Sequence, residues 1–251
     1  MKKKCFLLIH SEEYKARAEA CIESIEEHYS NEYDVVVSRA EELPQLYKDM
    51  LQNICANRPS EVLKCFDLGY EEVIFTGADT IFYSNALKEY CKEEENWYTS
   101  PEAYFVTHMK SPPPLDGKSP IFDPSINSDL VLWKRNEVTS DFLKKQFNFL
   151  KTNCVAREGH FYDQTYLNLA HNKLVCETIV SPAVNVAFYN LHDTGVRETV
   201  AAREVVSFQF SGFDFDNPER ISKHQNRYKM VDIPGLDWYI NDYIRRVEKF
   251  K

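Results

Sequence analysis

Glycine is scarce, with 7 residues in 251. Neither G-x-G-x-x-G nor G-x-x-x-x-G-K-[ST] occurs, which excludes a Gly-rich dinucleotide loop and a P-loop. No stretch approaches the roughly 20 apolar residues that a membrane-spanning helix needs. Lys2, Lys3 and Lys4 precede the apolar run Cys5 to Ile9 in the manner of a signal peptide. That run is only five residues and meets Glu12 and Glu13 almost at once, whereas a secretory core needs roughly 7–15. A cytoplasmic protein is expected. Cations are in deficit, 30 Lys and Arg against 39 Asp and Glu, for a net charge of −9. Phosphate neutralisation needs clustered cations, so no nucleic-acid partner is expected. The seven cysteines are odd in number and form no C-x-x-C pair, which disfavours a disulfide framework or a zinc site and fits buried, reduced thiols.

What is present is a globular composition, 43% apolar and 27% charged. Aromatics reach 14%, suiting either stacking on flat rings and sugar faces or plain core packing. Cys5 to Ile9 predicts a strand buried on both faces. Tyr14, Ala18, Cys21, Ile22, Ile25 and Tyr29 then recur at helical spacing. Asp34–Val37 predicts a second strand, Leu43 to Ile54 a second helix, and Pro59 to Gly69 a third. Glu72–Thr76 predicts a strand stopping at Gly77-Ala78-Asp79. This alternation indicates an α/β layered domain. Ligands in such sheets bind at the carboxyl ends of the strands, here His10–Tyr14 and Gly77–Thr80.

The second half differs in texture. Residues 109–124 hold five of the eleven prolines and predict a long loop, a length usually functional or disordered. Strands are expected at Ser128–Trp133, Leu174–Val180 and Val205–Phe210. Helices are expected at Val138–Leu150 and Tyr162–Ala170, with an amphipathic helix over Leu236–Phe250. A single domain is expected over 1–251: a nucleotide-binding half (1–100), a sugar and acceptor half (101–235) and the terminal helix (236–251).

Taken in order, these strand ends resemble the GT-A-fold, nucleotide-sugar-dependent glycosyltransferases, and most resemble family 8 and its bacterial relatives. CFLLI followed by HSEEY is similar to the family's first strand and base-binding turn. The resemblance implies that Tyr14 stacks on the base, with His10, Ser11 and Glu13 around it. NRPSEVLKCFDLGYEEVIFTGADTIFYS is similar to the segment leading into the family's D-x-D motif, which holds Mn²⁺ or Mg²⁺ against the donor diphosphate. Here that triplet is Gly77-Ala78-Asp79, lacking the first carboxylate. Arg58 stands where family members often carry a cation that reaches the donor.

PSINSDLVLW resembles the family's N-x-G strand start. Asn127 and Ser128 match, while Asp129 replaces a glycine; it could bind sugar hydroxyls, replace a metal ligand, act on the acceptor, or be solvated. YDQTYLNLA is similar to the family's D-Q-D-x-L-N helix, which implies that Asp163 and Gln164 lie at the reaction centre, with Asn168 also matching. Asn185 matches an Asn beside the donor. VSFQFSGFDFDNPERISKHQNRY resembles the family's terminal H-F-x-G segment. Gln209 takes the place of the metal-binding His, and Ser211, Gly212, Lys223, His224 and Arg227 are candidate diphosphate donors.

One carboxylate plus one amide make a poor divalent site. The expectation is therefore that no cofactor is required, with Arg58, Lys223, His224 and Arg227 offsetting diphosphate charge. The alternative is Mn²⁺ or Mg²⁺ on a rebuilt site using Asp79 with Asp129 or Asp163. The expected partners are a nucleotide-sugar donor, with UDP as the nucleotide, and a glycan or lipid-linked glycan acceptor. If family 8 is the right parallel, the anomeric configuration is retained. A non-catalytic sugar-nucleotide or glycan-binding protein is the other reading. The basic residues of 236–251 could place the chain at the inner face of the membrane, the alternative being a helix that caps the core.

Overall fold

A computed structural model describes residues 2–91, 103–107, 126–157, 160–167, 174, 176–216 and 233–251. The strands are β1 (Lys4–His10), β2 (Tyr33–Arg39), β3 (Glu72–Thr76), β4 (Thr80–Phe82), β5 (Ala103–Thr107), β6 (Ile126–Lys134), β7 (Ala156–Arg157), β8 (His160–Phe161), β9 (Cys176–Ile179), β10 (Val186–Ala187) and β11 (Ser207–Gln209). The helices are α1 (Lys15–Tyr29), α2 (Met50–Asp67), α3 (Leu87–Tyr90), α4 (Glu137–Asn153), α5 (Gln164–Leu167), α6 (Thr194–Ala202) and α7 (Leu236–Glu248).

The main sheet runs β2-β1-β3-β6-β5-β9, with β1 parallel to β2 and β3, β9 parallel to β5, and β6 antiparallel to both its neighbours. A smaller sheet runs β10-β11-β4, with β11 parallel to β10 and antiparallel to β4. The class is mixed α/β, with a mostly parallel sheet flanked by helices, as the alternation of elements predicted.

The apolar run of β1 follows from burial on both faces. Cys5, Leu7 and Ile9 pack with Val62 and Phe66 of α2 and Phe142 of α4. Phe6 and Leu8 pack on the other side with Cys21, Ile25 and Tyr29 of α1. Each such side chain contributes about 1.5–3 kcal/mol on burial. A third cluster joins Phe208 and Phe210 to Tyr239, Tyr243 and Val247 of α7; the Phe210 and Tyr243 rings stack at 3.9 Å. Much of the aromatic content is thus core packing.

Three expectations change. Residues 43–49 are not helical, because Pro44 precedes a turn whose Leu46 and Tyr47 amides donate to Asn53 Oδ1 at 2.8 and 3.1 Å. The helix starts at Met50 and is capped by Asp49, whose carboxylate accepts the Gln52 amide at 2.8 Å. It then runs unbroken through Pro59, so Arg58 lies within a helix and not ahead of one. Proline forfeits one helical hydrogen bond there, and the buried contacts of Val62, Cys65 and Phe66 hold the helix across it. Gly69 does end α2, at φ +102°.

The antiparallel β6 matters most for function. Its first residues lie beside the last residues of β3, with Leu130 opposite Thr76 and the Gly77 amide donating 2.9 Å to the Asp129 carbonyl. The carboxyl end of β3 and the start of β6 therefore share one sheet edge.

Candidate functional site

Arg58 is the centre of that edge. Its side chain is only 12% exposed and lies over the Phe75 ring, 4.7 Å from the centroid. Nη2 donates to Asp129 Oδ1 at 2.7 Å. Nη1 donates to Ser128 Oγ at 2.8 Å and to Asp163 Oδ2 at 3.1 Å. Burial opposes its charge, but the carboxylates of Asp163 and Asp129 outweigh this and hold its pKa well above the ordinary arginine value. Arg58 is thus not a solvated cation, and Asp129, 28% exposed, is engaged within the fold and not simply solvated.

The network continues outward from Asp129. Gln209 Nε2 donates to Asp129 Oδ2 at 2.6 Å, and Gln209 Oε1 accepts from the Tyr189 hydroxyl at 3.0 Å. That hydroxyl accepts from Asn127 Nδ2 at 2.6 Å and Asn185 Nδ2 at 3.3 Å. Asn127 Oδ1 in turn accepts the Asp129 amide at 2.7 Å. Asn185 is held in the left-handed region at φ +58°, and its Oδ1 is buried without a partner among the described residues. Tyr162, at φ +47°, turns the chain just ahead of Asp163, whose carbonyl accepts the Tyr166 and Leu167 amides of α5. Asp163 and Gln164 are both buried.

Asp79 sits half-buried at the end of this array. Burial and the nearby Asp129 carboxylate push its pKa up to about 6, while Arg17 pulls it back. A Cβ added at Gly77 would lie 3.2 Å from Asp79 Oδ1 and 3.6 Å from Asp129 Cβ, so glycine keeps room there between the two carboxylates. The Asp79 carbonyl accepts the Phe210 amide at 2.8 Å. A tight turn follows through Ser211 and Gly212, the latter at φ +68°, and closes with Phe213 N–H to Phe210 C=O at 3.1 Å.

The first strand's end supplies the rest. His10 is buried, with Nδ1 3.0 Å from the Ser11 carbonyl oxygen. Ser11 and Tyr14 are half-buried and Glu13 is exposed. Tyr14 is not open on both faces, since the Arg17 guanidinium lies over it at 4.6 Å. Lys223, His224, Arg227, Asn168 and the proline-rich 109–124 lie outside the described residues.

The donor set does not fit a divalent cation. Both Asp129 oxygens are engaged, one by Arg58 and one by the Gln209 amide, and Asp163 is bonded to Arg58 as well. Among the described residues no group of three His, Cys, Asp or Glu could hold a metal ion. A guanidinium already stands between the Asp129 and Asp163 carboxylates.

Sequence reasoning missed Tyr189, whose role as a junction depends on tertiary register. It also missed Arg17, three residues after Tyr14 and so on the same helical face. No helix among the described residues is long and apolar enough to cross a membrane. The cations of α7 are largely committed within the fold: Arg246 pairs with Glu23, Glu27 and Asp242, Arg245 with Asp242, and Lys249 with Glu23.

The fold is the GT-A fold of glycosyltransferases. Over 90% of its length the chain superposes on all of a glycosyltransferase involved in the glycosylation of the major capsid of PBCV-1, at TM-score 0.58 and 11% identity. The glycosyltransferase GlyE of Streptococcus pneumoniae matches over 98% of this chain and 63% of its own, at TM-score 0.55 and 10% identity. The bifunctional glycosyltransferase WbbM matches over 97% of this chain and 49% of its own, at TM-score 0.59 and 14% identity. This chain thus spans under two thirds of the latter two. No protein-family model matches the sequence, and no curated protein matches it significantly.

Proposed function

We propose that this chain is a glycosyltransferase that moves a sugar from a nucleotide-diphosphate donor, UDP-linked in the first instance, to a glycan or lipid-linked glycan acceptor. The observation that carries the reading is the hydrogen-bonded Asp163–Arg58–Asp129–Gln209 chain at the carboxyl edge of a GT-A sheet, where such sheets receive ligands. Hydrogen-bonded polar groups of this kind are preorganised to meet charge that develops in a transition state. Asp163 and Gln164, on one short turn, would hold the sugar and face the oxocarbenium-like centre. The departing phosphate would take the acceptor proton on the same face, so the anomeric configuration would be retained. Inversion would need a carboxylate base, and Asp129 is poorly suited because both its oxygens already accept hydrogen bonds.

The reaction would proceed without a divalent metal, with arginine in place of the cation. The wider resemblance to family 8 and the reading of Gly77-Ala78-Asp79 as a reduced D-x-D belong to this proposal. The competing reading is a non-catalytic sugar-nucleotide or glycan-binding protein. It is favoured by the pairing of Arg58 with two carboxylates in the ligand-free chain, which leaves its charge already balanced.

Turnover separates them. Purified protein is incubated with a panel of UDP-, GDP-, CDP- and dTDP-sugars in EDTA, and free nucleoside diphosphate is measured over hours. Slow release from one donor, lost in Gln164→Ala, supports the enzyme. Donor binding without release in EDTA or in Mn²⁺ would leave the binding protein standing.

A further inference from the structure

Arg17, on the first turn of α1, is a cation that the network around Arg58 does not use. Its guanidinium lies over two rings, 4.6 Å from the Tyr14 centroid and 5.0 Å from that of Phe215. Nη2 donates to the Phe213 carbonyl at 3.2 Å. Among the described residues it forms no ion pair with any carboxylate, in a chain where acids outnumber bases by nine. Arg58, Arg39, Arg245 and Arg246 are all paired.

A guanidinium in contact with two rings and bonded to a backbone carbonyl is restrained in orientation. Phe213 takes one of five donors, and the others remain in a fork that matches a phosphate. The location is equally specific. Phe213 and Phe215 belong to the turn through Ser211 and Gly212, and that turn starts from Phe210, whose amide is bonded to the Asp79 carbonyl. Arg17 thus stands between the end of β1, where Tyr14 lies, and the Gly77–Asp79 edge.

We infer that Arg17 binds the diphosphate of a nucleoside diphosphate or nucleotide sugar. It supplies next to Asp79 the positive charge that a divalent cation supplies in other diphosphate sites. The inference rests on the donor reading above and adds a residue and a role to it. A purely structural alternative is that Arg17 is a strut tying α1 to the Phe213–Phe215 turn.

Isothermal titration in EDTA distinguishes these. Wild type, Arg17→Lys and Arg17→Gln, each checked for an unchanged unfolding midpoint, are titrated with UDP, GDP, CDP and dTDP. The nucleoside diphosphate that binds is compared with its own nucleoside. The expected result is that Arg17→Gln loses roughly 10- to 100-fold in diphosphate affinity, the size of a charged hydrogen bond. The nucleoside should change less than about twofold, and Arg17→Lys should fall between. Equal weakening of diphosphate and nucleoside would establish the strut and overturn the inference, as would unchanged diphosphate binding. If wild type binds no nucleoside diphosphate, the donor reading falls and this inference falls with it.

Discussion

Two arginines in this chain each gather several carboxylates, and they serve different ends. Arg58 sits inside α2 with a side chain 12% exposed, between the 28%-exposed Asp129 and the 4%-exposed Asp163. Arg246 sits on α7 with a side chain 9% exposed, and its partners Asp242, Glu23 and Glu27 are 11%, 23% and 44% exposed. Both are held above the ordinary arginine range by their carboxylates against the pull of burial. The Arg246 cluster ties a terminal helix to α1, and water can take over part of its work. The Arg58 cluster fixes two carboxylates at a sheet edge, and at Asp163, the more buried of them, little solvent is available to replace it. A buried ion network built at a ligand-receiving edge is weak evidence for stability and better evidence for preorganisation.

The comparison breaks most visibly at Arg58. Arg58→Met should destabilise by about 3–5 kcal/mol, because two carboxylates lose their partner in a poorly solvated place. Urea unfolding reads the loss, and adding Asp129→Asn with Asp163→Asn should return part of it. A loss under about 1 kcal/mol would mean that the carboxylates find water easily.

Asp79 gives an effect of opposite sign. Its folded pKa of about 6 lies above the ordinary carboxylate value, so the folded state binds the proton more readily than the unfolded one. Stability contributed by this group is therefore lost as pH rises from about 4 to about 6, and the penalty is full above that. Asp79→Asn should stabilise the chain by about 2 kcal/mol at pH 7.5 and by about half that at pH 5. A pH-independent change would show that the effect is packing. Stability gained by removing a polar group at a site is the usual mark of a functional residue.

At Arg246, substitution by Met should cost about 1–2 kcal/mol, less than at Arg58, since two of its three partners, Glu23 and Glu27, are partly hydrated. Hydrogen exchange should speed in α7 first, while nucleotide binding is retained. Smallest of all is the exposed Lys145–Asp141 pair, where Asp141→Asn should leave the unfolding midpoint unchanged within error.

The sequence made some of this legible for physical reasons. β1, β3 and β6 stand out because apolar runs in a sheet covered on both faces cannot be mistaken for loops. The terminal helix was readable from its apolar stripe. The continuity of α2 was not, because Pro59 carries a strong local signal for a helix start and only the packing of Val62 to Phe66 outvotes it. α6 was missed although Asp193 caps it, accepting the Val196 amide at 3.1 Å; the short TGVRETVAA lacks a wide apolar stripe. Arg58, Asp129, Asp163 and Gln209 were each singled out, yet their convergence was invisible. They are separated by up to 151 positions and meet through tertiary pairings: β6 antiparallel to β3 places Asp129, β11 antiparallel to β4 places Gln209, and α5 packed on β6 places Asp163. Tyr189 had no local signal at all.

The most direct test is thermal unfolding of the intact chain against UDP, GDP, CDP and dTDP, each in EDTA and in Mn²⁺. A nucleotide at 100 times its Kd adds about 2.7 kcal/mol of stability. For a chain of this size that raises the midpoint by roughly 5–10 °C. An arginine-centred, metal-free donor site predicts this rise with one nucleotide in EDTA, unchanged by added Mn²⁺. A rise that appears only with Mn²⁺ would contradict it and point to a metal site built on Asp79; no rise with any nucleotide would contradict the donor site itself.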